Sequence, residues 1–310
     1  FLRIVHLGTR RVLFSGFRQA ATGVSQLLSD EGLAEFAHDA AMRCLERLPL
    51  AVGLDQPEAV AAGFAQLALR RLSSFETVQI AQADGLMARA HAADGNALWL
   101  GWRGFLSMAR VVDRQDAAPE LRDEARALCR TVVEKAGTNA QALALVAVTR
   151  TMLFDDVEGG GELARLALVC NPANLFARQV LAVINGAAGR HEDAYALSSF
   201  CQPALAREDL RHLWDLYHCL VCISTRRFDE ATAAAKRAIA RAPSFAAPRR
   251  QLVALAIHAG DHSEARQQVE ALARIEAGFS VDRMLRDPEY PVTTLRRAGL
   301  MEFNAASLER

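Results

Sequence analysis

The chain has 310 residues, 51% of them apolar and 23% charged, which is enough apolar surface for a large core and excludes a disordered polymer. Its 36 lysines and arginines balance 36 aspartates and glutamates, so no global field draws it to nucleic acid or to an anionic membrane. The longest apolar runs, such as LALVAV at 143–148, fall well short of the roughly 20 residues of a membrane helix, and a cytoplasmic location is expected.

Only Lys135 and Lys236 are lysines and alanine is abundant, a composition associated with GC-rich bacterial genomes. The six cysteines, Cys44, Cys129, Cys170, Cys201, Cys219 and Cys222, are expected to be apolar fillers in a reducing compartment rather than a disulfide framework. The chain opens at Phe1 with neither a methionine nor a signal pattern and is expected to be part of a longer one. Residues 1–20 carry Arg3, Arg10, Arg11 and Arg18 with no acid, and 24–48 repeat apolar positions at helical spacing, predicting an amphipathic helix. Residues 1–56 are therefore set apart as an N-terminal segment.

Helical hairpins are predicted from 57 to 278. Residues 76–96 read as the second helix of an early hairpin, and 95–112 with 120–139 as a fuller one whose inner loop surrounds Pro119. Farther on, Phe228, Ala231, Ala235 and Ala238 recur at three and four residues, one face of a helix, and Pro243 stops it. A face lined by alanine lets a neighbouring backbone approach closely. The small residues equivalent to Ala231 are Gly160, Ala194 and Ala265, at successive spacings of 34, 37 and 34, each preceded by a partner helix at 139–153, 174–187, 210–225 or 246–260. Gly189 and Gly260 stand where a hairpin turns and a positive φ is useful; Arg226 holds that place in the third unit.

A period near 34 with helix, turn, second helix and terminal proline is the tetratricopeptide signature, because no single hairpin buries its apolar face alone. The fold class expected is all-α, a right-handed superhelix of four to six such hairpins, with a short strand segment at the N-terminus left open. Residues 279–310 hold Pro288 and Pro291 as breakers, then a short helix from about 292, and are expected to cap the end of the solenoid.

The stretch from RRFDEATAAAKRAIARAPSF at 226 to DPEYPVTTLRRAGL at 287–300 resembles the C-terminal repeat region of bacterial winged-helix transcriptional regulators and class III adenylate cyclases, over roughly 97–300. The resemblance implies sensing and assembly rather than one reaction. LGTRRVLFSGFR at 7–18 is similar to the last strand of the small α/β domain that often precedes such repeats, but the helical pattern at 24–48 departs from that domain. A strand remnant and a helical reading of residues 1–20 both stay open.

Candidate chemistry is sparse. His218, Cys219 and Cys222 form a C-x-x-C cluster inside a helix with no second pair to complete four ligands, so packing is expected, ahead of a hydrolytic or redox role. EGGGE at 158–162 lacks the Lys-Ser/Thr of a phosphate loop and reads as a flexible turn; His191, His212, His258 and His262 read as surface or turn residues, and Trp99, Trp102 and Trp214 as packing residues. No enzyme, cofactor or metal is expected. The concave face of the first helices remains, where the register places Trp102, Arg103, Gln179, His212, Asp215, Arg249 and Arg250.

These would bind a protein or peptide partner, with a small-molecule effector as a further occupant. The function expected is a regulatory or sensory binding module of a bacterial transcription or signalling protein; the alternative is a stand-alone assembly scaffold without sensory role. DNA contact is expected only through a domain outside this chain or weakly through the basic N-terminus. No membrane partner is expected, and a homodimer is left open.

Overall fold

The structure, a computed structural model, describes residues 1–19, 30–53, 56–113, 118–204 and 209–304. Leu2–Val5 (β1) and Val12–Gly16 (β2) pair antiparallel, with Arg3 opposite Ser15. The described part of this segment, residues 1–19, thus holds a strand hairpin rather than a helix. Phe14 is buried edge-on against Phe36, 5.4 Å between rings, which seats the hairpin on α1 (Glu31–Val52). The first part of the helix predicted at 24–48 lies outside the described residues; the rest is α1.

Six antiparallel hairpins follow among the described residues: Pro57–Leu72 (α2) with Thr77–Asp94 (α3), Ala97–Val112 (α4) with Pro119–Lys135 (α5), Ala140–Phe154 (α6) with Val157–Cys170 (α7), Leu175–Ala187 (α8) with His191–Ala204 (α9), Arg211–Ser224 (α10) with Phe228–Arg241 (α11), and Ala246–His258 (α12) with His262–Ile275 (α13). The side chains of Asn96, Asn139 and Asn174 accept backbone N–H groups at the start of α4, α6 and α8, a cap contributing about 1 kcal/mol each.

The turns use the left-handed region where it was expected. Gly189 (φ 79), Gly260 (φ 76) and Arg226 (φ 60) end α8, α12 and α10. In each case the next N–H, of Arg190, Asp261 or Arg227, reaches back to the carbonyl of Asn185, Ala256 or Cys222 at 2.8 Å, closing a Schellman motif.

Second helices present small residues inward: Ala231, Ala234, Ala235 and Ala238 of α11 are fully buried. Gly160 is the extreme case. It lies in the first turns of α7, so EGGGE is helix rather than a flexible turn, and a Cβ there would stand 2.9 Å from the Ala147 carbonyl oxygen and collide with the Thr151 hydroxyl. Glycine here allows two helix backbones to touch.

The solenoid curls until its first turns meet its last. The Ala247 amide at the start of α12 donates to Asp113 Oδ1 at the end of α4 (2.7 Å), and Phe75, in the left-handed region between α2 and α3 (φ 54), packs 4.1 Å from Phe245. Arg250, with no exposed surface, donates to the carbonyls of Val112 (2.8 Å) and Asp113 (2.5 Å) and to Glu276 (2.9 Å). Tyr290 completes this knot by donating to the other oxygen of Glu276 (2.8 Å). Val281–Arg286 (α14) and Thr293–Arg297 (α15) bury Met284, Val292 and Leu295 against the last hairpin. Arg297 then crosses to Asp155 in the α6–α7 turn at 2.9 Å. No helix among the described residues is long and apolar enough to cross a membrane.

Candidate functional site

The seven sequence candidates all lie on first helices, each against partners within the chain. Trp102 is buried, edge-on to Phe105 at 5.6 Å and near Phe176 at 6.4 Å. Gln179 bonds Ser198 of α9 at 3.0 Å, and Asp215 is flanked by Arg211 (3.3 Å) and Arg237 (3.0 Å). His212 is not a surface residue: it is wedged between Phe75 and Phe245, with Nε2 lacking a hydrogen-bond partner. Arg103 is held by Asp84 and Glu124, Arg249 by Gln268 (2.7 Å) and the Pro243 carbonyl, and Arg250 by the knot above. Five of the seven are buried, and Arg103 and Arg249, partly buried, are paired within the chain. Trp99 and Trp214 are buried as packing residues, as expected.

Among the described residues, a chamber of about 730 Å³ opens at the C-terminal ends of the first helices. Val112 of α4, Met152 and Phe154 of α6, Val183 of α8 and Leu220 of α10 supply apolar wall, and the segment around Pro291 and Thr294 closes it from the C-terminal side. Val112, Met152, Leu220 and Thr294 also line a smaller apolar cavity of about 100 Å³, so the two adjoin. Four arginines, Arg122, Arg126, Arg283 and Arg297, and three acids, Asp155, Asp287 and Glu289, ring the larger space. Arg297 is neutralised by Asp155 and Arg283 by Asp287. Arg122 donates to the Leu153 carbonyl at 3.1 Å, and Arg126 stacks 4.8 Å from the Phe154 ring while pairing with the exposed Asp123. None of the seven sequence candidates lines the chamber. Its arginines stand on a second helix and in the C-terminal segment, outside the first-helix faces to which the repeat register points.

A second constellation lies in the α10–α11 hairpin. His218 Nε2 is 3.5 Å from Cys222 Sγ, one turn along α10, and Cys222 Sγ is 3.9 Å from Glu230 Oε2 in the first turn of α11. His218 Nδ1 meets Ser198 Oγ at 2.8 Å, and Ser198 is in turn bonded to Gln179. Tyr195 donates to Glu230 at 3.0 Å, beneath Arg227, which stacks 3.7 Å from the tyrosine ring. Burial lowers the imidazole of His218 to about 4, and burial with the nearby Glu230 charge raises the thiol of Cys222 to about 12. Cys219 is outside this group and is buried in the core. The useful signal was His218 and Cys222 at i and i+4.

Residues 223–284, from the end of α10 through most of α14, match the tetratricopeptide repeat family model. Among solved structures, the chain is similar to a tetratricopeptide repeat protein from Parabacteroides merdae, at 11% identity over 90% of this chain and 98% of that one, with a TM-score of 0.46. It is also similar to yeast Tom70 (12% identity, 94% and 67% covered, TM-score 0.37) and to the tetratricopeptide domain of P58(IPK) (14%, 90% and 78%, 0.28). No curated protein matches. With its stacked hairpins and short N-terminal sheet, the chain is an all-α solenoid of tetratricopeptide type that contains a tetratricopeptide repeat region at 223–284.

Proposed function

We propose that this chain is a non-catalytic regulatory binding module of a bacterial transcription or signalling protein, taking a protein or peptide segment in the chamber under its C-terminal segment. The chamber carries this reading: about 730 Å³ lies within the range of ligand sites. Its apolar wall suits an aliphatic or aromatic side chain, and the guanidinium groups of Arg122 and Arg126 suit a carboxylate beside it. The regulatory part of the reading draws on the resemblance of residues 226–300 to the repeat regions of winged-helix regulators and adenylate cyclases.

The test uses native mass spectrometry and partner capture on the purified chain, comparing wild type with Thr294→Trp, which fills the space where the two cavities adjoin, and with Arg126→Glu at the rim. A bound peptide or small-molecule mass, lost in both variants, supports the proposal. Capture of the same partner with undiminished affinity by Thr294→Trp sinks it and shifts the reading to a scaffold that binds on its outer helices.

A further inference from the structure

We infer that His218, Cys222 and Glu230 form a binding site for a zinc-class divalent transition-metal ion. The donor set is one imidazole nitrogen, one sulfur and one carboxylate oxygen, all within 4.8 Å of one another. Mixed nitrogen and thiolate ligation selects zinc and its neighbours over magnesium or calcium, which take oxygen cages.

Two of the three donor separations are close to those of a ligated site, and the third, from His218 to the Glu230 carboxylate, falls within 4.8 Å. Zinc–sulfur and zinc–nitrogen bonds of about 2.3 and 2.0 Å at a tetrahedral angle put those donors about 3.5 Å apart. His218 Nε2 and Cys222 Sγ stand at 3.5 Å. For sulfur and a carboxylate oxygen the same construction gives about 3.6 Å, against 3.9 Å for Cys222 Sγ and Glu230 Oε2. The two nearer donors are set by a rigid helix, one turn apart on α10. The carboxylate is the adjustable ligand, since the Glu230 side chain is 45% exposed and opens the cluster to solvent.

The surroundings are those a metal-binding histidine needs. Ser198 Oγ accepts from His218 Nδ1–H while its own hydroxyl donates to Gln179 Oε1, and in that tautomer the Nε2 lone pair faces Cys222. Tyr195 steadies Glu230 from the other side. Arg227, 3.6 Å from Glu230 Oε1, competes for the carboxylate, and Oε2 is the oxygen turned to sulfur. On binding, the metal–sulfur bond forms as the Cys222 S–H bond breaks and its proton passes to solvent, leaving a thiolate and a carboxylate to offset the two positive charges. Three protein ligands leave the fourth tetrahedral position to water. The ion would fasten α10 to α11 and, through Ser198 and Tyr195, to α9.

The test is zinc titration of the full chain after chelator treatment, by calorimetry, paired with cobalt(II) absorption, which shows a thiolate-to-metal charge-transfer band only when sulfur ligates. Expected is one zinc per chain in wild type and in the control Cys44→Ser. Cys222→Ser should abolish the cobalt band and weaken zinc at least about tenfold, and Glu230→Gln, at an exposed position that leaves the helical circular dichroism unchanged, should weaken it by about ten- to a hundredfold. Wild-type chain that takes up less than stoichiometric zinc, or a cobalt band that survives Cys222→Ser, overturns the assignment.

Discussion

Replacing Arg250 by methionine tests whether the curled solenoid is held shut by its buried ion pair. Methionine keeps most of the apolar stem, so the change removes the guanidinium without opening a large cavity. Two costs follow. The Glu276 carboxylate, 0% exposed, keeps the Tyr290 hydroxyl but loses its cation, and an uncompensated buried charge costs about 3–5 kcal/mol. The carbonyls of Val112 and Asp113 each lose a charge-assisted donor, at about 1 kcal/mol apiece. The sum is about 5–7 kcal/mol, a large share of the roughly 5–15 kcal/mol that holds a domain folded.

Urea denaturation followed by circular dichroism at pH 7 measures it, and a companion Arg250→Met/Glu276→Gln isolates the charge. Removing the orphaned carboxylate should return about 2–3 kcal/mol relative to the single variant. A loss under about 1 kcal/mol for Arg250→Met, or a double variant no more stable than the single one, would refute the claim that this pair fastens α4 to α12.

Gly160→Ala should destabilise by about 2 kcal/mol in the same assay, because the added methyl meets the Ala147 carbonyl at 2.9 Å and overpacking outweighs the gain in helix propensity. Gly63→Ala in α2, where nothing lies within 4 Å, should instead stabilise by up to about 1 kcal/mol; equal effects at the two sites would contradict the close-approach account. His212, lowered from 6.5 to about 4 by burial and then by Arg241, binds its proton less readily folded than unfolded. Its contribution is therefore full above pH 6.5 and is lost as pH falls towards 4, by about 3 kcal/mol. Stability measured from pH 7 to 4 should fall by that much more in wild type than in His212→Leu, and parallel curves would show that His212 is not the group that titrates.

The hairpins were legible because their cause is local. Ala231, Ala235 and Ala238 mark where a second helix touches its partner, Gly189 and Gly260 mark where the chain must turn left-handed, and both requirements act within one unit. Even Arg226, a residue with no intrinsic liking for positive φ, adopts it because the surrounding Schellman bonds fix the turn. Curvature is of another kind. It accumulates from small rotations between units, so no single stretch of sequence states that α4 will meet α12 across 134 residues. The site inherited that gap: Arg250, placed on the concave face, reaches across to the end of α4.

One signal that bears on the site was nonetheless present. Gln179 pairs with Ser198, Arg103 with Glu124, Asp215 with Arg237 and Arg249 with Gln268, at separations of 19, 21, 22 and 19 residues. In a repeat of about 34 residues, that interval runs from a first helix to the facing position on the second helix of its own hairpin. A polar residue on a first helix with a complementary group about 20 residues later is therefore provided for inside its unit and has little left for a ligand. The same interval also separates Ser198 from His218, joining the Gln179 pair to the cluster with Cys222 and Glu230. Polar residues in these hairpins thus act as relays from helix to helix. Ligand chemistry should then fall where such polar groups reach the surface, as at Glu230 in the metal site proposed here and at Arg126 on the chamber rim.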